Sequence, residues 1–162
     1  MSTEPFERVV SDHGATVLRV CRALLAHHDA DDAWSETFLA ALRAYPERPP
    51  EVNVRAWLVT IAHRKAIDHV RRSRREPVPT ARVPDVEADG VAAERLDDDL
   101  RHALEALGPK QRGAVVLHYV AGLRYAEVGV ALDCSEAAAR RSAADGIARL
   151  RATLEADREE PG

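Results

Sequence analysis

Between Arg55 and Arg75 the chain carries seven basic residues, Arg55, Arg64, Lys65, Arg71, Arg72, Arg74 and Arg75, against one acid, Asp68, a local net charge of +6. Guanidinium and ammonium groups at this density neutralise phosphates and release counterions, so the segment has the chemistry of a polyanion contact. From Glu76 to Asp99 the balance reverses: eight acids stand against Arg82 and Arg95, a net of −6. The overall charge of −4 over 162 residues therefore hides two opposed blocks, and a basic patch can hold nucleic acid on a net-acidic protein. A second acidic group, Asp29, Asp31, Asp32 and Glu36, lies upstream. Asp32 and Glu36 stand four apart, on one side of any helix they share. That spacing suits helix capping and a solvated face; it supplies no closed oxygen cage for a metal ion.

Catalytic chemistry is not evident. There is no Ser/His/Asp order, no phosphate-cradling glycine loop and no metal-ligand spacing among His27, His28, His69, His102 and His118, so no enzyme, metal or cofactor is expected. Cys21 and Cys134 lie far apart and outside any CxxC pattern, which reads as two reduced thiols. No run approaches the roughly 18 to 20 apolar residues of a membrane span. Met1 to Pro5 has neither the basic flank nor the apolar stretch of a secretory signal, so a cytoplasmic protein without membrane insertion is expected.

The elements that must carry these groups are helical. Hydrophobic residues make up 46% of the chain but aromatics only 4%, so the core rests on Ala, Val and Leu, and Ala and Leu favour helix. Val9, Val10, Leu18, Val20, Leu24 and Leu25 give one helical stripe. The run Asp29-Ala30-Asp31-Asp32 opens a second helix through Trp34, Phe38, Leu39 and Leu42, with Phe38 and Leu39 expected in the core. Pro46, Pro49 and Pro50 break the chain. Asn53 then caps a long helix to about Arg74, with Leu58, Ala62, Ala66 and Val70 on its buried side and Thr60, His63, Arg64, Ile67 and Arg71 on a polar side. Asp68 is expected to pair with Arg64 or Arg72. Pro77, Pro79, Pro84, Gly90 and the acidic run read as a linker. Helical spacing returns near Leu96 with Leu100, Leu104 and Leu107; Gly108-Pro109 starts another helix, which Gly122 stops. Two short helices follow, Tyr125 to Leu132 and Ser135 to about Leu154, joined at Asp133-Cys134. Asp133 tolerates a left-handed turn and Ser135 caps the second helix, a helix-turn-helix pattern.

The segments Phe6–Val10, Asp29–Leu39 and Arg55–Asp68 resemble region 2 of the extracytoplasmic-function (ECF) sigma factors of the sigma-70 superfamily. Leu104–Arg112, Tyr125–Val128 and Ser135-Glu136 resemble region 4. The likeness runs from Phe6 to about Leu154, with both halves in order. It implies an all-α protein of two helical domains: region 2 over residues 1–76, an acidic linker over 77–97, region 4 over 98–157 and a tail over 158–162. It also implies an alternative sigma factor that binds RNA polymerase core and directs it to promoter DNA, with a possible anti-sigma partner. Polymerase binding would fall to Asp29, Asp32, Ser35, Glu36 and Leu39. The minus-10 element would meet Asn53, Trp57, Thr60, His63, Arg64, Ile67, Arg71, Arg72, Arg74 and Arg75. The minus-35 element would meet Arg124, Tyr125, Ser135, Glu136, Ala138, Arg140 and Arg141. The chain departs from the common pattern at Ser35, where many relatives have Gln, at His63-Arg64, where many have Arg and Asn, and in the alanine-rich run Ala137–Ala139.

Two other readings stay open at this level: a free-standing helix-turn-helix regulator, which leaves residues 6–75 without a task, and a sigma-like modulator of polymerase with weak promoter selectivity, which the alanines favour. The acidic linker is also placed to fold over the basic helix and weaken its hold on DNA.

Overall fold

Three helices with facing apolar stripes build the first half of the chain. The computed structural model describes residues 4–49, 51–75 and 91–159, without the side chains of 75 and 91–97. Within it α1 spans Phe6–Leu24, α2 His27–Ala44 and α3 Val54–Arg75, with a single 3-10 turn over Tyr45–Glu47. Pro5 precedes α1, where a missing N–H costs nothing. Val9, Val17, Val20, Cys21 and Leu24 give α1 its buried face. On α2 the buried positions are mostly small, Ala30, Ala33, Thr37 and Ala41 beside Phe38, so the backbones approach closely. Thr37 satisfies its hydroxyl by donating to the Ala33 carbonyl at 2.6 Å, and the Trp34 indole donates to the Gly14 carbonyl of α1 at 2.9 Å. Leu58, Val59, Ala62 and Ala66 of α3 are fully buried against both.

The expected caps are present. The Asn53 side chain accepts from the Ala56 N–H at 3.2 Å and opens α3. The second acid-rich helix begins earlier than expected, at His27, so Asp29 sits in its first turn rather than capping it. There its charge still complements the helix dipole. His27 and His28 lie exposed at that end. Cys21 is buried; burial first, and Asp31 second, push its thiol up to about 12, so it stays protonated and unreactive.

The second half is α4 (Val91–Glu105), α5 (Pro109–Val115), a π turn over Val116–Val120, α6 (Tyr125–Leu132) and α7 (Glu136–Glu159). Helix α4 reaches into the segment read as linker, where acids and no cap signal hid its start. Gly108 caps α5 and Pro109 takes its first position. The π turn has no local signature: the Ala121 N–H reaches back five residues to the Val116 carbonyl at 3.1 Å. Gly122, with φ of 74°, ends it. His118 closes the corner, its Nδ1–H donating to the Leu123 carbonyl at 2.8 Å.

Asp133 ends α6 in the left-handed conformation, φ 56° and ψ 51°. The Cys134 N–H donates to the Gly129 carbonyl at 2.8 Å. A Cβ at Gly129 would lie 2.7 Å from the Cys134 carbonyl oxygen, so the turn needs glycine there. Ser135 accepts from the Ala138 N–H at 3.0 Å and starts α7, which runs one turn beyond the expected end. Its buried side, Ala139, Ala143, Gly146 and Leu150, crosses α5 and α6.

The two halves touch. Helix α4 and the π turn pack on α1, and a Cβ at Gly113 of α5 would lie 3.2 Å from His63 Nε2 on α3. Among the described residues no helix is long and apolar enough to cross a membrane.

Candidate docking and nucleic-acid interfaces

The exposed side of α2 combines acids with apolar surface. Asp32, Ser35 and Leu39 face solvent, as does Leu42. Leu39 is 55% exposed and Leu42 51%, on a helix whose other apolar residues are locked in the core. Leu39 therefore does not belong to the core; Phe38 does. The helical period explains the difference, because position 39 falls with 32, 35 and 42 while 38 falls with 34 and 41. Asp29 and Glu36 behave differently from Asp32. Glu36 Oε2 lies 3.0 Å from His69 Nε2 and 3.8 Å from Arg72. Asp29 lies 3.9 Å from His69 Nδ1. Both acids tie α2 to α3 across the back of the face. His69 is 9% exposed and its role was not legible in the sequence; no ligand spacing or helix partner announces it.

On α3, Arg64, Arg71, Arg72 and Arg74 are exposed, and Thr60, His63 and Ile67 half-buried. The Thr60 hydroxyl is spent on the Ala56 carbonyl at 2.7 Å, and the Asn53 carbonyl oxygen on its cap. Trp57 is half-buried, 6.4 Å from the Tyr45 ring. Arg75 is at the end of the helix, its side chain outside the described residues. Asp68 makes no ion pair among the described residues; Arg72 turns to Glu36 instead. Glu36, already held in place by His69, offers that arginine a partly buried carboxylate, whereas Asp68 is exposed. His63 is covered by α5. Burial first, then Arg112 and Arg64, lower its pKa to about 4, so it is neutral at neutral pH. The loop before α3 adds Arg48, missed in the sequence. Its guanidinium lies 4.5 Å over the Tyr45 ring, with Nε and Nη1 buried and without a partner among the described residues.

In the helix-turn-helix, Arg124 and Glu127 form the cap of α6, with Glu127 accepting from the Arg124 N–H at 3.0 Å. Tyr125 stacks on His118 at 3.9 Å, and the Arg140 guanidinium lies over the Tyr125 ring, 5.1 Å from its centroid. Arg140 also pairs with Glu136 at 3.3 Å. Ser135, Glu136 and Arg141 are exposed and Ala138 half-buried. Arg141 has no ion pair among the described residues. The turn thus brings Tyr125, Glu136 and Arg140 together and leaves Arg141 free to reach an anion. The idea that the acidic linker covers α3 falls on residues 76–90, outside the described residues.

Comparison with known proteins fits this arrangement. The family model for sigma-70 region 2 matches residues 9–76, and that for sigma-70 region 4 matches residues 97–150. The ECF RNA polymerase sigma factor SigC of Mycobacterium tuberculosis is 34% identical over 142 residues, 80% of this chain and 70% of that protein. The RNA polymerase sigma factor CarQ of Myxococcus xanthus is 33% identical over 129 residues, covering 77% and 74%. Among solved structures, CnrH in complex with the cytosolic domain of CnrY superposes with a TM-score of 0.76 at 27% identity, over 94% of this chain and 88% of that one. The sigma factor RpoE of Bartonella quintana, solved with the anti-sigma factor NepR, shares the fold with a TM-score of 0.74 at 22% identity, over 96% and 99%.

Proposed function

The chain belongs to the ECF sigma factors of the sigma-70 family, and from that premise we propose how its two halves divide the work of an alternative sigma factor in promoter-specific transcription initiation. Residues 1–76 dock on RNA polymerase core through α2 and contact the minus-10 element through α3. Residues 98–157 read the minus-35 element through α7. The polymerase supplies the catalysis and this chain supplies none. It works in the cytoplasm, where polymerase and promoter DNA are.

The observation that carries this reading is the outer side of α2. Two leucines more than half exposed sit beside Asp32 on an otherwise well-packed helix, which is how a surface destined for a protein partner differs from a solvated one. Asp32, Ser35, Leu39 and Leu42 form the contact; Asp29 and Glu36 hold it against α3. A free-standing regulator leaves this face without a purpose. The likeness to CnrH, solved with the cytosolic domain of another protein, supports a protein partner that restrains the free chain as well.

The test is titration of labelled protein against purified core polymerase, followed by promoter opening. Saturable binding and strand opening are expected; a chain that binds duplex DNA but not core would be a free-standing regulator. The same assay checks the minus-35 assignment. Arg141→Ala is expected to weaken duplex binding by about tenfold and to lower the salt slope by about one. An unchanged slope would remove Arg141 from the phosphate contacts.

A further inference from the structure

Where the two halves meet, the ends of α1 and α3, the start of α2, and α4 and α5 enclose a cleft of about 480 Å³. That is within the range of small-molecule sites. Its charged and polar lining is Arg74 and Ser73 from α3, Arg101 and Glu105 from α4, Arg112 from α5 and Asp29 from α2. The three arginines are not equivalent. Arg101 is saturated, 3.0 Å from Glu105 and 3.3 Å from Asp98. Arg112 is only 9% exposed, yet its guanidinium makes no ion pair or hydrogen bond among the described residues. Burial and the like charge of Arg74 both work against its protonated form, with Glu105 a partial offset. A guanidinium stays charged in a protein, so its partial desolvation beside Arg74 is a cost that an anion in the cleft would reduce.

We propose that the cleft is a phosphoryl-anion site. Arg112 and Arg74 grip the oxygens from opposite halves of the protein, and the Ser73 hydroxyl donates beside them. Guanidinium suits this because its planar fork meets two phosphoryl oxygens at once. One grip comes from α5 and the other from α3, so an occupant ties the halves together. It favours the arrangement in which α5 covers His63, and opposes the exposure of α3 that DNA contact requires. The phosphoryl group is that of a free polyphosphate.

The probes are sodium pyrophosphate and a short single-stranded deoxyoligonucleotide, titrated calorimetrically into the full chain at constant ionic strength, since screening alters any weak anion contact. One saturable site is expected. Arg74→Gln, at the exposed end of α3, is expected to weaken it by about tenfold, the loss of one charge-assisted pair. Arg8→Gln, an exposed arginine on α1 outside the cleft, is expected to change affinity by less than about twofold. Arg112→Gln should abolish binding, provided circular dichroism shows it folded; the Arg74 result stands without it. This pattern with pyrophosphate identifies a free polyphosphate ligand; the same pattern with the oligonucleotide alone overturns the proposal, because it is the DNA contact already assigned to α3. No saturable binding of either probe overturns the proposal. So does an equal loss from Arg8→Gln and Arg74→Gln, which would mean only the diffuse field of the protein's basic residues. None of these readouts involves polymerase, so they stand or fall apart from the docking assignment.

Discussion

Leu39→Asp is expected to weaken binding to core RNA polymerase by at least about a hundredfold, or about 2.7 kcal/mol, with the fold left intact. Leu39 has already lost nearly half its surface to neighbours, so burying the remainder contributes only about 1 kcal/mol of the 1.5–3 kcal/mol that a full leucine supplies. The larger effect comes from the carboxylate. Placed between Leu42 and the partner, it loses water without gaining a cation, at a cost of several kcal/mol. Leu39→Ala removes only the apolar part and is expected to weaken binding about fivefold. Asp32→Ala, at a wetter position, should cost less than that and should matter mainly at low salt. Because Leu39 contributes nothing to the core, thermal unfolding of all three should stay within about 0.5 kcal/mol of the parent. Fluorescence anisotropy against core polymerase, paired with circular dichroism melts, measures both. Parental affinity in Leu39→Asp would move the docking surface off α2.

The outer face of α2, proposed as the docking surface, also shows what sequence can reveal. Features set by one to four neighbouring residues were legible. Asn53 and Ser135 cap because a short polar side chain reaches an N–H three residues on. Asp133 takes the left-handed turn because its side chain tolerates it, and Pro109 and Gly122 bracket a helix for equally local reasons. The resemblance carried the family and the order of the halves. What was hidden depends on partners remote in the chain. Nothing near Glu36 says that it will turn to His69, 33 residues away, and away from the face it was expected to share with Asp32. Asp68 lost Arg72 to that same contact.

Leu39 was ambiguous for a different reason. An apolar residue at helical spacing is normally core, and which of two adjacent apolar residues turns inward depends on which helical face packs, here the face of Trp34, Phe38 and Ala41. The start of α4 at Val91 was concealed by acids that compose a plausible linker. The π turn came from no sequence signal at all; it realigns the chain between α5 and Gly122. The contact of α5 with α3 was invisible for the same reason as the His69 pairing. It rests on Gly113, whose missing side chain lets His63 approach.

That contact makes the protein acid-sensitive at one identifiable histidine. In the folded, closed arrangement His63 is neutral down to about pH 4; once unfolded or opened to solvent, it returns toward the ordinary value near 6.5. The folded state thus binds fewer protons between these limits. The contribution is fully present above about pH 6.5 and is lost as pH falls toward 4. At pH 5 the loss amounts to about 2 kcal/mol, from 1.36 kcal/mol for each unit of the difference. Carboxylates titrate in the same window, so the comparison must be with His63→Gln, which keeps the size and polarity but cannot take a proton. Unfolding in urea at pH 7.5 and pH 5 should show the parent losing about 2 kcal/mol more than His63→Gln. If the halves separate before either unfolds, the same proton opens them. The imidazolium would then face Arg112 and Arg64 together, and a fluorophore pair on α3 and α5 would report separation in the parent alone. Parallel pH profiles in both proteins, by both methods, would mean that His63 is already solvated in solution. Helix α5 would then not cover α3, and the side of α3 proposed to face DNA would need no opening step.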